Sequence, residues 1–112
     1  MLRPKARRTN KIVVEKRGHP RTALKAVVTC HRKDGTTFEG RSKDISIGGM
    51  YLESTEAVAF GTELTIEVSL PRTKGALRLP AVVRWTDKAG FGVQFGLLGA
   101  RETHAISQLI RS

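Results

Sequence analysis

Two arginines four positions apart, Arg17 and Arg21 in the run RGHPR, each carry a planar fork of N–H donors. Such a fork binds a phosphate, or the O6 and N7 acceptors of guanine, and its flat face stacks on a purine. Further along, DISIGG supplies Asp44, Ser46 and Gly49. A carboxylate accepts from the N–H donors of guanine, a hydroxyl bonds a phosphate or a base edge, and a glycine admits an approach that a Cβ would block. Together these residues suit a guanine nucleotide. Each pattern also has an ordinary reading. In a chain with 20 Lys and Arg, two arginines at this spacing arise by chance, and Asp, Ser and Gly are common turn residues.

The distribution of charge points the same way. Residues 1–43 hold 13 Lys/Arg and 3 Asp/Glu, whereas residues 44–112 hold 7 of each, so the formal excess of +10 lies entirely at the front. A basic segment on a neutral body implies an anionic partner, which could be nucleic acid, a lipid headgroup or a nucleotide. The alternative is a solubilising tail.

Other chemistries find little support. His19, His31 and His104 are far apart and lack Cys, His or carboxylate neighbours at zinc-ligand spacing. Ser46 has no nucleophile-elbow flanks, and the chain has no Walker-type glycine loop. The expectation is therefore a protein that is not an enzyme and needs no cofactor or metal. The one cysteine, Cys30, falls in an apolar alternation and reads as a small buried side chain. No apolar run is long enough to cross a bilayer, and MLRPKARRTNK lacks the apolar stretch of a secretory signal. The expected location is the cytoplasm.

A chain of 112 residues accommodates one compact core, and 39% hydrophobic with 27% charged residues is a globular composition. Residues 1–14 read as a flexible basic arm and 15–112 as the folded domain. Gly18 and Pro20 oppose regular structure, which puts Arg17 and Arg21 on a loop. Leu24, Ala26, Val28 and Cys30 alternate with polar positions, KDG at 33–35 turns, and a return strand runs from Thr36 to Lys43. DISIGG interrupts before Met50, Tyr51 and Leu52. Strands follow over Glu63–Leu70 and Leu77–Trp85, then a turn at Asp87–Gly90 and a last strand through Phe91, Val93 and Phe95. Ala105, Ile106, Leu109 and Ile110 lie at helical spacing within residues 100–110. Six short strands with turns between them predict an all-β fold, a closed antiparallel barrel with a short C-terminal helix.

The order of these features resembles the PilZ domains, bacterial receptors for the second messenger cyclic di-GMP. RxxxR (Arg17, Arg21) precedes a strand pair, then DxSxxG (Asp44, Ser46, Gly49), then a Val-Val-Arg-Trp strand at 82–85 and GFGVQF at 90–95. The resemblance spans residues 15–110. It implies a six-stranded barrel that binds cyclic di-GMP between the arginine loop and the barrel surface. Arg17 and Arg21 would contact guanine and phosphate, and Asp44, Ser46 and Gly49 would hold the base from the barrel. Trp85 matches a position that lies beside the ligand in some members, although its parity with Ala81 and Val83 equally reads as core. Lys16 occupies a position that influences whether one nucleotide binds or an intercalated pair, and Arg7, Arg8 and Lys11 are further candidates for phosphate contact. The implied activity is sensing without catalysis, in which ligand orders the arm and loop and a downstream protein reads the result. A basic barrel that binds RNA or DNA non-specifically is the alternative.

Overall fold

In a computed structural model of the protein, residues 20–111 are described. The residues from 1 to 19, which include Lys16, Arg17 and His19 as well as the arm, lie outside them. Among the described residues there are seven strands and one helix: β1 (Thr22–Ala23), β2 (Val27–Arg32), β3 (Thr37–Ile45), β4 (Gly49–Glu53), β5 (Glu63–Val68), β6 (Leu77–Thr86), β7 (Gly90–Phe95) and α1 (Ala100–Arg111). All pairings are antiparallel. The order β3-β2-β5-β6-β7-β4 returns to β3, so six strands close on themselves, and β1 is an extra strand beside β3. Closure removes the unpaired edges that an open sheet would expose.

The alternation that predicts the strands also fills the barrel. Val28 and Cys30 of β2, Leu64, Ile66 and Val68 of β5, Leu77, Leu79, Ala81 and Val83 of β6, and Phe91, Val93 and Phe95 of β7 are all buried. Helix α1 seals one end, burying Ala105 and Ile106 while Leu109 and Ile110 pack partly against the core. Glu102 in its first turn and Arg111 in its last suit the helix dipole. No helix among the described residues is long and apolar enough to cross a membrane.

Three local features depart from simple alternation, and each positions a residue discussed below. First, strand pairing starts earlier than expected: Thr22 and Ala23 pair with Ile45 and Asp44 before the chain breaks at residues 24–26. The buried Ser42 spans that break, since its hydroxyl donates to the Leu24 carbonyl at 2.5 Å and accepts the Ala26 N–H at 3.0 Å. Second, the return strand continues through Asp44 to Ile45, and its register with β4 shifts between Ser42 and Asp44. Third, the register of β6 with β7 shifts between Val83 and Trp85. Both shifts are β-bulges, with one extra residue on one strand.

Gly49 opens β4 beside β7, where a Cβ would sit 2.1 Å from the Val93 carbonyl oxygen. A methyl group there must push two backbones apart. Gly49→Ala should therefore lose about 1–3 kcal/mol of stability without any ligand present. Read as a thermal unfolding midpoint, that is a drop of roughly 5 °C or more; an unchanged midpoint would show that the sheet does not require this glycine.

Cys30 is 0% exposed, and burial pushes its thiol up to about 12. The native protein should not react with an aromatic disulfide reagent at pH 8 and should react fully in denaturant. Prompt reaction of the native protein would contradict this packing.

Candidate functional site

The two bulges lie opposite one another across the sheet. Asp44 of β3 pairs with Tyr51 of β4, Tyr51 with Gly92 of β7, and Gly92 with Trp85 of β6, so these residues form one transverse row over four strands. The adjacent row, Ile45, Met50, Val93 and Val83, faces the core. Because each bulge adds a residue, Asp44 and Trp85 leave the inward parity of Ser42 and Val83 and turn outward. Trp85 is 51% exposed. Of the two readings its sequence position allows, the core reading is therefore corrected.

Trp85 is held in place. Gly92 lacks the side chain that would collide with the indole, as a Cβ there would be 2.4 Å from Nε1. The indole stacks on Tyr51 with ring centroids 5.1 Å apart and planes 15° from parallel. The Tyr51 hydroxyl donates to Asp87 Oδ1 at 2.8 Å, and the same oxygen accepts the N–H groups of Ala89 and Gly90 in the β6–β7 turn. The tyrosine hydroxyl, followed by the Gly90 N–H, holds the Asp87 carboxyl below the usual carboxylate range. Desolvation, reinforced by the hydrogen bond to Asp87, pushes Tyr51 up to about 12, so it stays a neutral donor at any physiological pH.

At the other end of the row, Arg21 precedes β1, and the pairing of Ala23 with Asp44 delivers its side chain to the carboxylate. Arg21 Nε and Nη2 donate to Asp44 Oδ1 at 3.1 and 2.8 Å. Oδ2 carries no hydrogen bond among the described residues and retains its acceptor capacity.

DISIGG forms the turn between β3 and β4. Ser46 is 1% exposed, its N–H donates to the Gly49 carbonyl at 2.8 Å, and its hydroxyl accepts the Gly48 N–H at 3.1 Å. The same hydroxyl reaches the Gly49 carbonyl at 3.4 Å. The motif thus builds a tight turn whose serine is bonded internally.

Arg21, Ser46, Gly49 and Trp85 line one cleft of about 290 Å³, with Arg84 and Gln94 completing its rim. No Asp or Glu lines it among the described residues, so its charge is cationic. A larger cavity of about 570 Å³ elsewhere on the barrel is lined by Glu39, Glu53 and Glu56 beside Arg41 and Lys88. Those carboxylates oppose an anionic ligand, and none of the motif residues is there. The sequence reading did not single out Tyr51, Arg84 or Gln94 as site residues. Arg84 and Gln94 lie inside the quoted stretches at 82–85 and 90–95, and Tyr51 just past DISIGG, but only the bulges and the register reveal where they face.

Comparison with known proteins now bears on these features. A model of the PilZ domain family matches residues 15–112. The PilZ domain of CeSA from a cellulose-synthesizing bacterium is similar in fold, with 18% identity, a TM-score of 0.67, and coverage of 82% of this chain and 95% of that one. The PilZ domain of YcgR from Escherichia coli, solved with c-di-GMP, has 18% identity and a TM-score of 0.69 over 87% of this chain and 90% of that one. The MrkH–c-di-GMP complex from K. pneumonia gives 22% identity and a TM-score of 0.67, covering 88% of this chain and 52% of that one. The chain thus spans about half the length of MrkH. No curated protein matches. At these identities the solved structures speak to the fold, whereas the family model reaches from the first arginine motif to the end of the chain and includes the row, the turn and the cleft. The chain belongs to the PilZ domain family.

Proposed function

We propose that this protein is a non-catalytic receptor for cyclic di-GMP. The observation that carries the reading is the cleft beside the outward row, where Arg21, Arg84 and the exposed Trp85 converge with no carboxylate among the described lining residues, and Asp44, bonded to Arg21, lies next to it. The YcgR PilZ domain and MrkH were both solved with c-di-GMP, which supports the same assignment here.

Each contact follows from donor and acceptor inventories. Asp44 Oδ2 accepts from the N–H donors of guanine, and the Arg21 fork serves O6, N7 or phosphate. Trp85 offers its free face for stacking on the purine. Ser46 and Gly49 hold the wall of the cleft, with the Gly48–Gly49 backbone beside the base.

About 290 Å³ is just below the roughly 300–1,000 Å³ of pockets that enclose a drug-sized ligand. The cleft therefore seats one base with its phosphate, and a cyclic dinucleotide needs a second wall. Lys16, Arg17 and the basic arm, with Arg7, Arg8 and Lys11, supply it in this reading. Their ordering over the ligand creates the surface that a downstream protein reads.

Titration calorimetry with cyclic di-GMP tests the assignment on the wild type, Arg21→Ala and Asp44→Ala. The wild type should bind, and each variant should bind about 10- to 100-fold more weakly, since a lost charge-assisted hydrogen bond costs about 1.5–3 kcal/mol. Emission from Trp85, the one tryptophan, should change at the same midpoint. A wild type that fails to bind, or variants that match it, would overturn the receptor reading. Equal affinity of wild type and Asp44→Ala for RNA or DNA, with steep salt dependence, would favour a nucleic-acid barrel instead.

A further inference from the structure

The receptor reading draws one arginine from the described part of the barrel, Arg21. The geometry of the bulge points to a second. We propose that Arg84 is an anion-binding residue of the cleft, parked on Gln94 without ligand and engaged with a phosphodiester oxygen of the ligand when it binds. This inference rests on the receptor reading and adds a residue that neither polar motif contains.

Arg84 is the extra residue of the β6 bulge, between Val83, which pairs with Val93, and Trp85, which pairs with Gly92. In regular alternation Trp85 would turn inward, to the opposite face of the strand from Arg84. The bulge instead sets both outward, and both line the cleft that contains Arg21. The stacking surface and a second cation are thereby adjacent.

The partner of Arg84 differs from those of the three arginines that pair with carboxylates among the described residues. Arg21, Arg32 and Arg78 contact the carboxylates of Asp44, Glu56 and Glu67. Arg84 Nε donates instead to a neutral amide oxygen, Gln94 Oε1, at 2.9 Å. Its guanidinium carbon lies 5.9 Å from the centroid of Phe60, a ring that is 68% exposed. Neither contact neutralises the charge. Both Nη nitrogens are without a hydrogen-bond partner among the described residues, so the side of the fork that grips a phosphate is open.

Magnitudes favour the transfer. The bond to Gln94 is charged on the donor side only, whereas a phosphodiester oxygen adds an opposite charge and can take two N–H groups of the fork, so exchanging the amide for a phosphate is a net gain. An arginine already paired with a carboxylate would give up one charged partner for another. Gln94 thus orients Arg84 without competing for it.

The test is calorimetry with cyclic di-GMP on the wild type, Arg84→Ala, Arg84→Lys and Gln94→Ala, with unfolding midpoints measured without ligand. Arg84→Ala should bind about tenfold or more weakly while keeping its midpoint, and its affinity should fall less steeply with salt than that of the wild type. Arg84→Lys, which keeps the charge and loses the fork, should lie between the two. Gln94→Ala should stay within about threefold of wild type, because it removes only the parking contact; threefold is well under 1 kcal/mol. A wild type that binds beside an Arg84→Ala that binds equally well, or with an unaltered salt dependence, overturns this inference and leaves the receptor reading intact. A Gln94→Ala loss as large as that of Arg84→Ala overturns the parking role. A wild type that does not bind overturns both.

Discussion

The site depends on two residues that do not fit the alternation of their strands. Side chains on a strand alternate between faces, and an uninterrupted β3 would turn Asp44 inward with Ser42, burying a carboxylate in an apolar barrel at a cost of several kcal/mol. An uninterrupted β6 would likewise turn Trp85 inward with Val83. One extra residue in each strand, Lys43 and Arg84, reverses the parity at matching points on β3 and β6. The core keeps its row of Ile45, Met50, Val93 and Val83, while the neighbouring row becomes an outward line of carboxylate, tyrosine, glycine and tryptophan.

Rigidity at one end of that row contrasts with looseness at the other. Trp85 is fixed by the stack on Tyr51 and by the absence of a side chain on Gly92, and Tyr51 is fixed in turn by Asp87 in the turn. The Arg21–Asp44 pair is a different kind of contact, with side chains 43% and 34% exposed. An ion pair so open to water contributes about 0–1 kcal/mol, so a ligand can rearrange it at little cost. In the proposed receptor, an anionic purine would stack on a preformed platform and exchange with a weak ion pair.

Much of this was legible in the sequence because most of the barrel obeys simple periodicities. Glu63–Leu70 alternates cleanly and forms β5 over Glu63–Val68, and the helical spacing of Ala105, Ile106, Leu109 and Ile110 corresponds to α1. Three things were not legible. A two-residue strand such as Thr22–Ala23 has no period to detect, and the break that follows it is bonded by the hydroxyl of a distant Ser42. A bulge leaves no trace in a pattern of period two except a residue that seems to face the wrong way, so Trp85 read equally well as core. The glycine at position 49 looked like an opening for a ligand, whereas the Val93 carbonyl already requires it. Arg17 and Lys16 lie outside the described residues.

The central claim is that the cleft beside the outward row, lined by Arg21, Ser46, Gly49, Arg84 and Trp85, is where the ligand sits. Amide chemical shifts recorded during titration with cyclic di-GMP test it most directly. The account predicts that among residues 20–111 the largest changes fall on Arg21, Asp44, the Ser46–Gly49 turn, Tyr51, Gly92, Arg84 and the Trp85 indole N–H, with little change at the acidic cavity lined by Glu39, Glu53 and Lys88. Changes centred on that acidic cavity, or spread evenly over the basic surface, would contradict it.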